Sequence, residues 1–528
     1  MRPGPAARRQ AGRLCLVDFD GPVPSSALER RLADAHVAGV VLFQKNVQTA
    51  AQVAALTASL QALARAAGAP PLLVTIDHEG GAVTRFPPQP GAAGPAVTPL
   101  PSAMALGAAG DPALARAAGA VAGAELRALG VHLNFAPVLD VNTNAANPVI
   151  GARAFGETPA LVTMLGVAYL EGLQGAGVGA TAKHFPGHGD TTVDSHLGLP
   201  RVEHGLARLE VVELAPFAAA VRAGVAAVMT AHIVYPALDP TGTPATMSAP
   251  ILTGLLRRRL GFGGLILSDS LSMRAIADHF GVGDAAVRAV QAGCDLLLAL
   301  GPEAVQDEIL DRLAQAIERG ALGADRIGAA QARLAEAAHR WGAGAVASPA
   351  GPTADLAARV GTPAHMDVAR RVAEAAVTLV RDRTGRLPLG GRIAVVALTA
   401  PAEAGRAPDA IRPDLAAALQ HHGADAVARP LDARDLSSFD RVVAVTWGRG
   451  VPDARTIDAL RALRRSAGDR LVVVAAGDPY ELAAAPDDAT CLATYGADPL
   501  SVDGAARVLL GHRPARGSLP VTLPGDRP

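Results

Sequence analysis

Two short stretches carry side chains that could make and break bonds. In L-I-L-S-D-S, Asp269 follows the apolar run Leu265–Leu267 and Ser268. A carboxylate at the end of a rigid strand is held in place, which suits a nucleophile. The same residue in front of a helix starting near Ser270 would equally suit an N-cap. The second stretch is Asp194-Ser195-His196, between Gly189 and Gly198, where neither helical nor strand character is evident. A carboxylate bonded to one imidazole nitrogen fixes the tautomer and raises the basicity of the ring. Such an imidazole can give a proton to a leaving oxygen and later take one from water. On three residues alone, a surface D-x-H loop without chemistry is the other reading.

Both stretches need a frame to hold them. Residues 1–342 alternate short β-rich runs with long helical patterns such as Asp111–Leu129, Leu206–Ala223 and Asp284–Ala292. The strand candidates are Leu14–Phe19, Gly39–Phe43, Leu72–Asp77, Val131–Ala136, Val178–His184, Ala226–His232, Gly264–Asp269 and Cys294–Leu300. Most are continuous apolar runs, as in parallel strands buried on both faces. This α/β pattern predicts a (β/α)8 TIM-type barrel, although a doubly wound open sheet has the same local pattern. A barrel places its chemistry at the C-terminal strand ends. The third run ends at Asp77, the sixth at His232 and the seventh at Asp269, and Arg153 lies in the loop after the fourth. The fifth carries Lys183 and His184 and leads to Asp194 and His196. Lys183 and His184 are adjacent and would point to opposite faces of a regular strand. For both to reach one ligand, the strand must end or bulge there, with Pro186 forcing the break.

The chain has 528 residues, more than one hydrophobic core usually serves, so two domains are expected. The Gly/Pro/Ala-rich run 342–353 reads as linker, which divides the chain into a catalytic barrel at 1–342, a linker at 343–365 and a smaller domain at 366–528. In the latter, strand candidates Arg392–Leu398, Ala424–Ala428, Arg441–Thr446, Arg470–Ala475 and Cys491–Tyr495 alternate with helices such as Asp409–His421 and Asp453–Ser466. That is a three-layer α/β pattern, without a Gly-rich phosphate loop and therefore without an assigned nucleotide. A formal net charge of −1 gives no reason to expect nucleic acid as a partner. Cys15, Cys294 and Cys491 are odd in number and far apart, which argues against disulfides and a metal cluster. The basic N-terminus is followed by only Leu14–Val17 before Asp18, too short for a signal peptide. Nor does any apolar run reach membrane-spanning length. The expectation is a cytoplasmic protein with no membrane partner.

The run K-H-F-P-G-H-G-D-T-T-V-D-S-H, residues 183–196, resembles the signature of glycoside hydrolase family 3 β-N-acetylglucosaminidases. I-D-H-E-G-G-A-V-T-R-F looks like that family's first sugar-binding segment. N-F-A-P-V-L-D-V-N-T-N and N-P-V-I-G-A-R-A-F-G look like the second, and L-S-D-S-L-S-M resembles the nucleophile segment. The C-terminal half, ending in R-G-S-L-P-V-T-L-P-G, is similar to the second domain of two-domain members. The resemblance implies that Asp269 is the nucleophile and His196 the acid/base, oriented by Asp194. It also implies that Asp77, Arg85, Arg153, Lys183 and His184 hold the terminal sugar, whose hydroxyls carboxylates and cations can bond. Three positions stand apart. Ala82 occupies a place where many relatives have Arg, and His188 and His232 read as supporting histidines rather than reacting ones.

The activity implied is retaining β-N-acetylhexosaminidase action on a small GlcNAc-containing oligosaccharide or muropeptide, with neither metal nor organic cofactor required. Retaining glycosidases usually pair two carboxyl groups about 5–5.5 Å apart. Here an imidazole replaces one of them. It repels an incoming anion less than a carboxylate would, so phosphate could take the place of water and the chain could be a β-N-acetylglucosaminide phosphorylase. A non-catalytic sugar-binding protein on the same barrel would be signalled by loss of Asp269, Asp194 or His196, and all three are present. Few aromatics argue against a long stacking cleft for polymeric chitin.

Overall fold

The structure, a computed structural model, describes residues 3–86, 96–195, 197–342, 355–398, 414–433 and 435–525. Eight parallel strands close a barrel in sequence order: β1 Cys15–Val17, β2 Gly39–Leu42, β3 Leu73–Ile76, β4 Leu133–Asn134, β5 Gly179–Phe185, β6 Ala227–Thr230, β7 Leu265–Ser270 and β8 Leu296–Ala299. The open-sheet alternative is thereby excluded, because β8 pairs with β1. Each strand falls on an expected run, but most are shorter. Asp18 lies just beyond β1, Asp77 just beyond β3 and His232 two residues beyond β6. These residues have left the ladder, so their side chains are free of the alternation that paired strands impose.

Leu16, Val41, Leu73, Leu133, Phe135, Met229, Leu265 and Leu267 share one buried cluster with other strand residues, the packed interior of the barrel. The other side chains of the same strands, such as Val17, Val40, Val74 and Ile266, join a larger cluster with the surrounding helices. Every strand is thus buried on both faces, which explains the continuous apolar runs.

The helices start where their side chains can accept the first free N–H groups. Asp111 caps the helix Pro112–Ala128, bonding the N–H of Ala113 at 2.7 Å. Asp453 caps Ala454–Ala467 through the N–H of Thr456 at 2.7 Å. The expected helix over 206–223 is two helices, Leu206–Val211 and Leu214–Arg222. Pro216 lies in the first turn of the second, where its missing N–H is harmless, whereas an unbroken helix would set its ring against the carbonyl of residue 212. The expected helix at 284–292 starts earlier, at Val282. Of the one expected at 409–421, Leu415–His421 is helical and 409–413 lie outside the described residues.

The smaller domain holds six strands: β9 Thr378–Arg381, β10 Ile393–Leu398, β11 Ala426–Arg429, β12 Arg441–Thr446, β13 Leu471–Ala475 and β14 Thr490–Ala493. Their order is β11-β10-β12-β13-β14-β9. All neighbours are parallel except β14–β9. The antiparallel edge strand β9, T-L-V-R, was not foreseen: its burial is uneven, so it lacks the apolar run that marks the others. Val396, Val442, Ala444 and Val473 pack on one face of the sheet, and Val395, Val443, Val445 and Val474 on the other. This is the expected three-layer arrangement. Of the stretch read as linker, 343–354 lie outside the described residues, and the helix Pro363–Ala376 begins within the remainder.

The two units share packing. Met104, Ala105 and Ala108, from the barrel's helix Ala103–Ala109, are buried in the second sheet's cluster. Ser102 Oγ donates to the Tyr495 carbonyl at 2.7 Å, Glu157 N–H to the Pro520 carbonyl at 3.1 Å and Ser518 N–H to the Ala108 carbonyl at 3.0 Å. Among the described residues, no helix is long and apolar enough to cross a membrane.

Candidate active site

A cavity of about 1000 Å³ opens at the C-terminal end of the barrel strands and is walled on its far side by the second domain. Asp77, Arg85, Arg153, Lys183, His184, Asp194 and Asp269 all line it. The structure therefore brings together every site residue named from the sequence except His196, which lies outside the described residues.

The base of the cavity is a chain of ion pairs. Lys183 Nζ donates to Asp77 Oδ1 at 2.7 Å and lies 2.6 Å from Glu79 Oε1. Arg153 grips Glu79 with two parallel bonds of 2.9 Å, the fork geometry that matches guanidinium to carboxylate. Arg85 reaches Asp77 Oδ2 at 3.1 Å and lies over the Phe43 ring. Burial alone would push the Asp77 carboxyl up, but the Lys183 and Arg85 cations outweigh it and hold it below its ordinary value. Burial opposes ionisation of Glu79 as well, and Arg153 with Lys183 holds it well below the usual carboxylate range. Burial disfavours the Lys183 ammonium, yet Asp77 and Glu79 raise its pKa above the ordinary one. The groups thus stay charged, and they present both donors and acceptors to a polyhydroxylated ligand.

Glu79 was missed from the sequence. The signal lay in parity: it is two residues after Asp77 in I-D-H-E, a spacing that puts both side chains on one side of an extended chain. The turn that follows carries Gly80 at φ +92° and Gly81 at φ +55°, and leaves Ala82 exposed on the cavity rim.

Lys183 and His184 both face the cavity, as the expected break requires. The pairing of β5 with β6 shifts register between Ala182 and Phe185, and the Lys183–His184 and Phe185–Pro186 peptides are cis. Asp140, also missed, sits wholly buried beneath them. It takes the His184 Nδ1 hydrogen at 2.7 Å and the backbone N–H groups of His184 and His188 at 3.2 and 2.6 Å. Burial would raise the Asp140 carboxyl, but the His184 imidazole and these donors hold it low. With Nδ1 engaged, a neutral His184 keeps Nε2 as its acceptor.

His188 does more than fill the loop. It lines the cavity, bonds Thr191 Oγ1 through Nδ1 at 2.8 Å, and bonds Ser195 Oγ through Nε2 at 3.1 Å. It therefore holds the middle residue of the D-S-H run. Burial pushes its pKa down to about 4, with His184 adding to the effect. Asp194 anchors the rest of that loop, its carbonyl accepting the N–H groups of Leu197 and Gly198 at 2.9 and 3.0 Å.

Asp269 belongs to β7, half-buried at the cavity wall, and its Oδ1 accepts the Ser270 N–H at 2.7 Å. The next helix begins only at Arg274, with Met273 at its N-cap position, so the capping alternative for Asp269 is excluded. His232 Nε2 lies 2.9 Å from the Ser270 carbonyl and Nδ1 lies 2.7 Å from Thr246 Oγ1. A carbonyl only accepts, so the Nε2 hydrogen of His232 braces the backbone next to Asp269. The Ala275 N–H donates to the Ser195 carbonyl at 3.3 Å, tying the D-S-H loop to the segment that follows the carboxylate.

Residues 7–337 match the family model described as glycosyl hydrolase family 3 N terminal domain. Beta-hexosaminidase A of Pseudoalteromonas piscicida is 38% identical over 389 residues, which cover 69% of this chain and 62% of that protein, so the match spans less than two thirds of its length. A beta-hexosaminidase of Xylella fastidiosa is 40% identical over 344 residues, covering 61% of this chain and 98% of that protein. A solved glycoside hydrolase family 3 beta-N-acetylglucosaminidase from Paenibacillus is 37% identical and superposes with a TM-score of 0.90 over 98% of each chain. The barrel, the cavity at its strand ends and these matches agree: the chain belongs to glycosyl hydrolase family 3.

Proposed function

We propose that the chain is a retaining β-N-acetylhexosaminidase that removes a non-reducing terminal GlcNAc from muropeptides or chitooligosaccharides. The observation that carries this reading is the convergence on one cavity of the Asp269 carboxylate, the Asp194–Ser195 loop and the Asp77–Lys183–Glu79–Arg153 cluster. Relatives named beta-hexosaminidase and a full-length likeness to a beta-N-acetylglucosaminidase support it. Asp77, Arg85, Arg153, Lys183 and His184 hold the terminal sugar. Asp269 attacks the anomeric carbon while His196, oriented by Asp194, protonates the departing glycosidic oxygen. The C–O bond to the leaving group breaks as a glycosyl–aspartyl ester forms. A water molecule then gives its proton to His196 and its oxygen to the anomeric carbon, and releases Asp269. No cofactor takes part. Three buried cysteines without disulfides fit a reducing, cytoplasmic setting. The cavity is wide enough for a short oligosaccharide.

The test uses an aryl β-GlcNAc and its 5-fluoro analogue. Asp269→Ala is expected to lose nearly all turnover, and the fluoro sugar is expected to label Asp269. Labelling of another residue would sink the nucleophile assignment. Free GlcNAc is the product expected in both phosphate and phosphate-free buffer. GlcNAc 1-phosphate in the former would make the second step phosphorolysis.

A further inference from the structure

One carboxylate of the second domain reaches into the sugar cluster. Asp478, in the loop after β13, is only 2% exposed. Its Oδ1 accepts the Ala152 N–H at 2.8 Å, and its Oδ2 accepts the Gly450 N–H at 2.7 Å. Ala152 directly precedes Arg153. Gly151, one residue earlier, has φ +43°, and a Cβ there would lie 2.1 Å from an Asp478 oxygen. The carboxylate thus fills the space a side chain would need, and the turn Gly151–Arg153 is closed onto it. From Arg153 the ion pairs run without a gap to Glu79, Lys183, Asp77 and Arg85.

We propose that Asp478 is a positioning residue of the monosaccharide subsite, through which the second domain sets the placement of Arg153 and, through Glu79, of the cluster that holds the sugar. This rests on the proposed function, in which that cluster binds the terminal sugar. The physical case is one of tolerance. Bonds from backbone N–H groups to an ionised acceptor are stronger than neutral ones, and at a buried site their loss leaves donors unpaired. The Arg153 fork is rigid, so a shift of its backbone moves both bonds to Glu79 together. A misplacement of about 1 Å can cost about a hundredfold in rate. A second domain that merely walled the cavity beyond the terminal sugar, through residues such as Trp447 and Arg449, would act on the leaving group alone.

Free GlcNAc separates these roles, because a monosaccharide fills only its own subsite. Calorimetric Kd for GlcNAc and kcat/KM on an aryl β-GlcNAc would be measured for the full chain and for Asp478→Ala, Gly151→Ala, the double variant and Arg153→Gln, below their thermal midpoints. Asp478→Ala and Gly151→Ala are each expected to weaken GlcNAc binding by about tenfold or more. The double variant should lose less than the sum of the two single ones, because removing the carboxylate makes room for the new methyl group and leaves only the strain of an alanine at positive φ. Arg153→Gln should weaken binding in the same direction. If both single variants bind GlcNAc within about twofold of the parent while Arg153→Gln does not, the clamp is overturned and the second domain is a wall. Independent, additive losses in the double variant would overturn it too. If Arg153→Gln is silent, or the parent binds no GlcNAc, the sugar assignment fails and the proposal falls with it.

Discussion

Glu79 is the residue on which the cluster turns. It faces two cations, Arg153 and Lys183, and the Lys183 side chain is 2% exposed. Removing one partner of a buried pair leaves an uncompensated charge, at a cost of about 3–5 kcal/mol. Glu79→Gln is therefore expected to destabilise the fold by that order at neutral pH. Because its carboxyl titrates well below the unfolded value, the stability it contributes is present above about pH 4.5 and is lost as the pH falls further. The gap between the two proteins in denaturant unfolding should thus begin to narrow only below about pH 4.5, and close only at a pH well below the usual carboxylate range. His188 works in the opposite pH range. Burial pushes its pKa from the ordinary 6.5 down to about 4. The unfolded chain takes up the proton first, so stability present above pH 6.5 declines as the pH drops toward 4. His78 and His132, also pushed down to about 4 by burial, add to the same slope. Each histidine contributes about 1.4 kcal/mol per pH unit in that window. His188→Asn should make the slope shallower by about one proton, and an unchanged slope would refute its buried, neutral state.

The loop that carries Asp194 and Ser195 is an element with little regular structure, held by its anchors. His188, Thr191 and the Ser195 carbonyl are bonded as described above, and the Tyr235 hydroxyl donates to the Gly187 carbonyl. Gly189 opens the loop, where a Cβ would lie 1.8 Å from the Val141 carbonyl oxygen. Only glycine fits so close to another backbone. Gly189→Ala is expected to cost about 1–3 kcal/mol of stability through forced displacement and to lower kcat more than KM is raised. Thermal melts and steady-state kinetics on the aryl substrate would check both. A kcat equal to the parent's would show that the loop tolerates the shift.

At the scale of the molecule, the barrel's face against the second domain includes an apolar patch. Met104, Ala105 and Ala108 are nearly inaccessible and belong to the second sheet's cluster. A fragment of residues 1–342 would bare them and lose the Asp478 contact with the Gly151–Arg153 turn. It is expected to melt below the full chain and to self-associate, as sedimentation would reveal. A monomeric fragment melting with the full chain would mean that the units are energetically independent.

The sequence by itself determined the eight strands and the reactive residues at their ends, whereas their closure into a barrel rather than an open sheet rests on the pairing of β8 with β1. Strands buried on both faces read as continuous apolar runs, and reactive residues at their ends stood out against that background, so Asp77, Lys183, His184 and Asp269 were legible, and the resemblance over 76–86, 147–156 and 183–196 pointed to Arg85, Arg153, Asp194 and His196. Within the site, three things were decided only by tertiary structure. Asp269 could have capped a helix until the chain beyond it turned at 271–273 and the next helix began only at Arg274. Glu79 and Asp140 were ordinary carboxylates until Arg153, Lys183 and His184, distant in sequence, closed on them. Asp478 gained a role only when its domain docked on the Gly151–Arg153 turn. The reason is common to all three. Local pattern records burial and backbone preference, which act over a few residues, whereas a charged side chain's task depends on partners that folding brings from anywhere in the chain.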